Sequence, residues 1–112
     1  MDKKFKADNG LGNLFWGAAV NDAAIRRQIR IMQDMGVNAI RTSHNMPAPD
    51  FVRIADEMGM MIMAESFDSW RIPKVKNGYN LYFDEWAEKD MVNLIHNFRN
   101  SASVVMWCIG NE

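Results

Sequence analysis

The strongest constraint on this chain is a rhythm met three times: an amphipathic helical stretch, a turn, then a short apolar run. Asn21 or Asp22 can cap the first helix start. Ile25, Ile29 and Met32 then recur at i, i+4 and i+7, with Met35 three further on. Arg26, Arg27, Arg30, Gln33 and Asp34 lie between them, and Gly36 is placed to end the helix. The apolar run 37–41 (VNAIR) predicts a strand. The loop TSHNMPAPD follows, and its two prolines bar regular strand there. Phe51, Ile54, Ala55 and Met58 mark a second helix closed by Gly59, and MMIMA (60–64) predicts a buried strand ending at Glu65. A loop over 66–83 carries Asp68, Trp70, Arg71, Pro73 and Gly78; connectors this long are usually functional or disordered, and the aromatics argue against disorder. Asp84 can cap a third helix with Ala87, Met91, Leu94 and Phe98 on one stripe. VVMWCI (104–109) predicts the last strand.

Helices alternating with strands at this spacing imply parallel βαβ units. The strands read as apolar throughout, as expected where both faces of a parallel sheet are covered. An open doubly wound sheet and part of a (β/α)8 barrel both fit this α/β pattern. No GxGxxG follows a strand and no GxxxxGK[ST] occurs, so nucleotide-binding forms lose support. With 112 residues the chain has room for one core, and would supply about half of a barrel of about 250 residues.

Composition excludes several partners. Net charge is −1 and the basic residues are scattered, so neither nucleic acid nor an anionic membrane is expected. No apolar run nears a membrane span of about 20 residues, and MDKKFKADNG has no secretion-signal core. The single Cys108 rules out an internal disulfide and any multi-cysteine zinc site, and its strand setting predicts an inert buried thiol.

Chemistry-bearing residues fall at the C-terminal ends of the three strands: Arg41, Thr42, Ser43, His44 and Asn45 after the first, Glu65 and Asp68 after the second, Asn111 and Glu112 after the third. In a parallel α/β sheet these ends face one way and line the site. A carboxylate there can serve as general acid and base, and the amides and imidazole can hold hydroxyls. Each residue also has a plainer role: Arg41 as the ion-pair partner of Glu65, His44 as a brace for its proline-rich loop, Glu112 as an exposed terminal carboxylate. Asp68 and Trp70 are read as pinning the long loop, and His96 as a residue on the outer helix surface.

The segments GVNAIRTSHNMPAPDFVRIADEMGMMIMAESFDSW (36–70), NLYFDEWAEKDMVNLIHNFRN (80–100) and SVVMWCIGNE (103–112) together resemble the catalytic barrel of glycoside hydrolase family 2, in its bacterial β-galactosidase form. The resemblance covers roughly residues 18–112. It implies a partial (β/α)8 TIM barrel, strands two to four with their helices over 21–112, preceded by an altered or incomplete first strand and loop over 1–20. It also implies a retaining hydrolase of terminal β-galactosides, with β-glucuronidase or β-mannosidase as alternatives and a non-catalytic, sugar-binding or self-associating half-barrel as a reading of another class. Glu112 would be the acid/base catalyst, Asn111 would contact the sugar 2-hydroxyl, His44 would bind the sugar, and Arg41 would order the carboxylates. No cofactor is required by the resemblance. Glu65 matches a position that in some members helps bind magnesium, but Phe67 stands where those members place a histidine ligand. The family's nucleophile is a second glutamate on a later strand, so the piece alone is expected to be inactive and to lack the rest of its barrel. The first-strand histidine motif of the family has no counterpart in KADNGLGNLFWGAAV. The longer protein would be a homo-oligomer in the bacterial cytoplasm or periplasm.

Overall fold

The computed structural model describes residues 6–8 and 21–111, and the side chains of 21–111. In order they form β1 (Lys6–Asp8), α1 (Asp22–Asp34), β2 (Ala39–Thr42), α2 (Pro49–Met58), β3 (Met61–Glu65), a 3-10 turn (Tyr79–Leu81), α3 (Phe83–Phe98) and β4 (Val104–Cys108). The strands build one parallel sheet in the order β1-β2-β3-β4. Of the region 1–20, read from sequence as an altered first strand, only the three residues of β1 are described; the remainder, and Glu112, lie outside the described residues.

Local chemistry explains the helices. Asn21 is extended and its Oδ1 accepts from the Ala24 N–H at 3.2 Å, which caps α1. α2 begins with Pro49 at its first position, where the missing N–H costs nothing, and ends at Gly59 with φ 71°. A side chain there would occupy the unfavourable left-handed region. α3 differs from expectation. The 3-10 turn feeds straight into it, so the cap residue is Tyr82, with no side-chain cap bond, and Asp84 lies inside the first turn. Its carboxylate pairs instead with Arg71, whose Nε donates to it at 2.7 Å.

One apolar cluster holds the layers together: Ile25 and Ile29 of α1, Ile40 of β2, Val52, Ile54 and Ala55 of α2, Ile62 and Ala64 of β3, and Leu94 and Phe98 of α3, with Val37 and Met60 just before β2 and β3. Fully burying a Leu or Ile contributes about 1.5–3 kcal/mol, so this cluster is the main source of stability. The helices cover one face of the sheet. On the other face Met61 and Met106 are exposed, a departure from strands covered on both sides.

β4 departs furthest. Its register against β3 slips by one between Ile62 and Met63, so Val104 pairs with Ile62 and Met106 with Met63. Val105, Met106, Trp107 and Ile109 are 57, 51, 37 and 61% exposed. Among the described residues β4 is an edge strand, hydrogen-bonded only to β3. Its apolar sequence is that of an interior strand; its exposure is that of an edge. Cys108 is accordingly half-buried, not sealed in a core.

Candidate active site

One face of the sheet gathers the polar residues because the parallel strands all end on the same side. Arg41 is the partner of Met63 across β2 and β3, and Glu65 the partner of Cys108 across β3 and β4. Glu65 is completely buried. Its Oε2 accepts a hydrogen bond from Arg41 Nε in an ion pair, and its Oε1 lies 2.9 Å from His44 Nδ1. Its backbone N–H donates to Thr42 Oγ1 at 3.0 Å. Burial works against the Glu65 anion, but the bonds from Arg41 and then His44 outweigh it and hold the carboxyl below the usual glutamate range. An ionised carboxylate only accepts, so His44 Nδ1 carries the hydrogen and directs its ring.

The network runs on to β4. Arg41 Nη2 donates to Asn111 Oδ1 at 3.4 Å and approaches Cys108 Sγ at 4.0 Å. Asn111 Nδ2 donates to Asp68 Oδ1 at 3.2 Å, and Lys74 Nζ donates to the same oxygen at 2.6 Å. The bond from Lys74 chiefly, opposed by desolvation and aided by the smaller contribution of Asn111, holds the Asp68 carboxyl below its usual range. Two further bonds tie the end of β4 to the loop after β3: Asn111 N–H to the Phe67 carbonyl at 3.1 Å, and Ser66 Oγ–H to the Ile109 carbonyl at 3.0 Å. Gly110 has φ 145°, and a Cβ there would overlap the Trp70 indole at Nε1. Trp70 therefore packs on bare backbone one residue before Asn111. A cleft of about 440 Å³ adjoins this end of the sheet, lined in part by Asn45, Ser66, Asp68, Lys74, Tyr79 and Asp90.

Of the residues singled out from sequence, Arg41, His44, Glu65 and Asn111 thus meet in one hydrogen-bonded group, and Glu112 lies outside the described residues. Asp68 does more than pin its loop, since it also holds the Asn111 amide. Lys74 was not legible, since it forms no motif with its neighbours; Thr42 was named at its strand end, and the structure adds that its hydroxyl accepts from the Glu65 N–H. The sequence also offers Glu65 as a magnesium ligand. Both of its oxygens are engaged, one by a guanidinium that would repel a cation. Phe67 stacks on Tyr79 with ring centroids 5.2 Å apart, and among the described residues no three His, Cys, Asp or Glu side chains gather as ligands.

Parallel strands in sequential order, helices on one face and a polar group at the C-terminal strand ends define a segment of a (β/α)8 barrel with its site on the usual face. The chain belongs to glycosyl hydrolase family 2: the family model for its TIM barrel domain matches residues 13–112. It is 50% identical over 96 residues to the β-galactosidase BoGH2A of Bacteroides ovatus, covering 86% of this chain and 11% of that protein. A putative β-glucuronidase of Formosa agariphila is 38% identical over 96 residues, covering 86% of this chain and 9% of that protein. The crystal structure of a β-glycosidase from Bacteroides vulgatus superposes with a TM-score of 0.84 at 42% identity, over 98% of this chain and 14% of the other. The chain spans about a tenth of the length of the curated relatives it matches, 11% and 9%.

Proposed function

We propose that this chain is the part of a retaining β-galactosidase barrel that supplies the acid/base catalyst, Glu112, and the sugar contacts Asn111 and His44, with Arg41 ordering them. The observation that carries the reading is the buried Glu65 carboxylate held by Arg41 and His44 and joined through Arg41 to Asn111, the residue before Glu112. A charge network fixed around a buried carboxylate is what a site needs to hold its polar groups in one geometry before substrate arrives.

In such an enzyme two carboxyl groups stand about 5–5.5 Å apart. The nucleophile attacks the anomeric carbon while the acid/base glutamate gives its proton to the departing glycosidic oxygen. Water then attacks the glycosyl-enzyme ester as the same glutamate, now a base, takes the water's proton; the sugar leaves and the nucleophile is restored. Glu112 fills the acid/base role. Asn111 donates to the 2-hydroxyl, a contact that strengthens as positive charge develops on the ring. His44, its Nδ1 directed at Glu65, turns Nε2 to a hydroxyl.

Glu65 and Glu112 are the glutamates at strand ends in this chain, and Glu65 is committed to its ion pair. The family resemblance puts the nucleophile, a second glutamate, on a later strand, so the 112-residue polypeptide alone is expected to show no turnover. An aryl β-galactoside assay checks this: a rate that disappears in Glu112→Gln would refute it. In the longer protein the same substitution should abolish hydrolysis of alkyl glycosides. β-Glucuronidase is the second reading, favoured by the 38% identity to a protein of that name. Comparing aryl galactoside with aryl glucuronide decides between them.

A further inference from the structure

The Asn111 amide stands between two opposite charges from different parts of the chain. Its oxygen accepts from Arg41 Nη2 at 3.4 Å, and its nitrogen donates to Asp68 Oδ1 at 3.2 Å. Asp68 is in turn held by Lys74 at 2.6 Å. A planar amide can present either end to a neighbour. Turned over, Asn111 would aim N–H groups at a guanidinium and its oxygen at a carboxylate, so the flanking charges select one orientation. The Arg41 bond is long, and Asp68 provides the closer of the two contacts. Of the two hydrogens on Nδ2, one goes to Asp68; the other has no partner among the described residues and can serve a substrate oxygen.

We propose that Asp68, braced by Lys74, is a positioning residue that fixes the Asn111 amide for its contact with the sugar 2-hydroxyl. The inference rests on the glycosidase reading above for what Asn111 touches, but not for how it is held. Asp68 is a poor candidate for a structural post. It is 45% exposed and Lys74 31%, and ion pairs of that exposure contribute little to stability. The loop has separate ties to the end of β4, from Asn111 N–H to the Phe67 carbonyl and from Ser66 Oγ–H to the Ile109 carbonyl. Removing the Asp68 carboxylate leaves both in place and releases the Asn111 amide and the exposed Lys74 ammonium.

The test uses the enzyme-length protein carrying this segment, with Asp68→Ala, Asp68→Asn and Lys74→Met, on an aryl β-galactoside and its 2-deoxy analogue. Asp68→Ala should lower kcat/KM on the 2-hydroxy substrate about tenfold, the factor carried by one hydrogen bond of ordinary strength. On the 2-deoxy substrate the loss should stay within about twofold, because the contact is already absent. Asp68→Asn keeps an accepting oxygen and should recover most of the rate; Lys74→Met should fall between. Equal losses on both substrates, or no loss on either, would overturn the proposal. If the unsubstituted protein hydrolyses neither galactoside nor glucuronide, the glycosidase reading fails, and the Asn111 side-chain amide signals in NMR decide the positioning claim. Asp68→Ala must then shift that pair of signals and speed its exchange; an unmoved pair refutes the claim.

Discussion

Arg41→Met is the most informative single change, because it removes the guanidinium and leaves Glu65 in place. Glu65 has no exposed surface, whereas the Arg41 side chain is 27% exposed. Removing one member of a buried pair typically costs about 3–5 kcal/mol, most of it the penalty of the charge left behind. Two features reduce this. Arg41 reaches solvent, and His44 keeps its bond to Oε1, a charge-assisted contact of about 1.5–3 kcal/mol. We therefore expect a loss of about 2–3 kcal/mol at pH 7. With a urea slope of about 1.5 kcal/mol/M, the midpoint falls by about 1.5 M. Glu65→Gln should cost less, since the cation it strands can still be hydrated. The pH dependence carries the sharper test. In the unsubstituted protein the Glu65 pKa is lowered, so its contribution is present above the unfolded value of about 4.3 and is lost as the pH falls through the lower folded value. Without Arg41, burial is no longer outweighed and the folded pKa rises above the unfolded one. The variant then regains stability relative to the unsubstituted protein as the pH falls from 7 toward 4. Urea unfolding followed by circular dichroism at pH 7, 5.5 and 4 measures both effects. A cost below about 1 kcal/mol that does not change with pH would refute the assignment of Glu65 as a buried, ionised hub.

Gly110→Ala should destabilise by about 1–3 kcal/mol, because the new Cβ meets both the Trp70 indole and a backbone angle unsuited to L-residues. Trp70→Ala in the same chain should remove only the steric part, so a double-mutant cycle that shows no coupling would contradict the packing described. Asp56→Ala should cost about 1 kcal/mol, since Asp56 Oδ1 accepts from both Ser101 Oγ–H and the Ser103 N–H at 2.7 Å. Desolvation opposes the Asp56 anion but these bonds prevail and lower its pKa, so that stabilisation should fade as the pH drops below about 4; thermal melts of Asp56→Ala across that range should show the smaller loss at low pH. Val105→Lys should make the isolated polypeptide less prone to associate, because charge on an exposed edge strand blocks pairing with another chain. Sedimentation over a range of concentrations reads this directly, and equal association of both forms would show that the β4 edge is not the adhesive surface.

Helix positions were legible in the sequence because their causes are local. The Asn21 cap, Pro49, Gly59 and the 3.6-residue apolar stripes act within a turn or two, and α1 and α2 follow them closely. The start of α3 was less legible: Asp84 has the right chemistry for a cap, but a 3-10 turn over Tyr79–Leu81 precedes the helix, which begins at Phe83, one residue before Asp84. The strand ends could also be read, since βα alternation puts polar residues after each strand on one side of the sheet.

Sequence by itself thus determined the order of elements, the apolar faces and the set of polar residues at the strand ends. Tertiary structure decided what those residues do to one another. Glu65 finds His44 and Arg41 at separations of 21 and 24 residues, and Asn111 finds Asp68 at 43 and Arg41 at 70. The Arg41–Glu65 ion pair was among the readings the sequence offered; the other pairings depend on sheet register and on the path of the loop after β3, neither of which has a period to read. Exposure of β4 was decided the same way. Its residues are apolar wherever they sit, and burial is a property of what lies beside a strand, not of the strand.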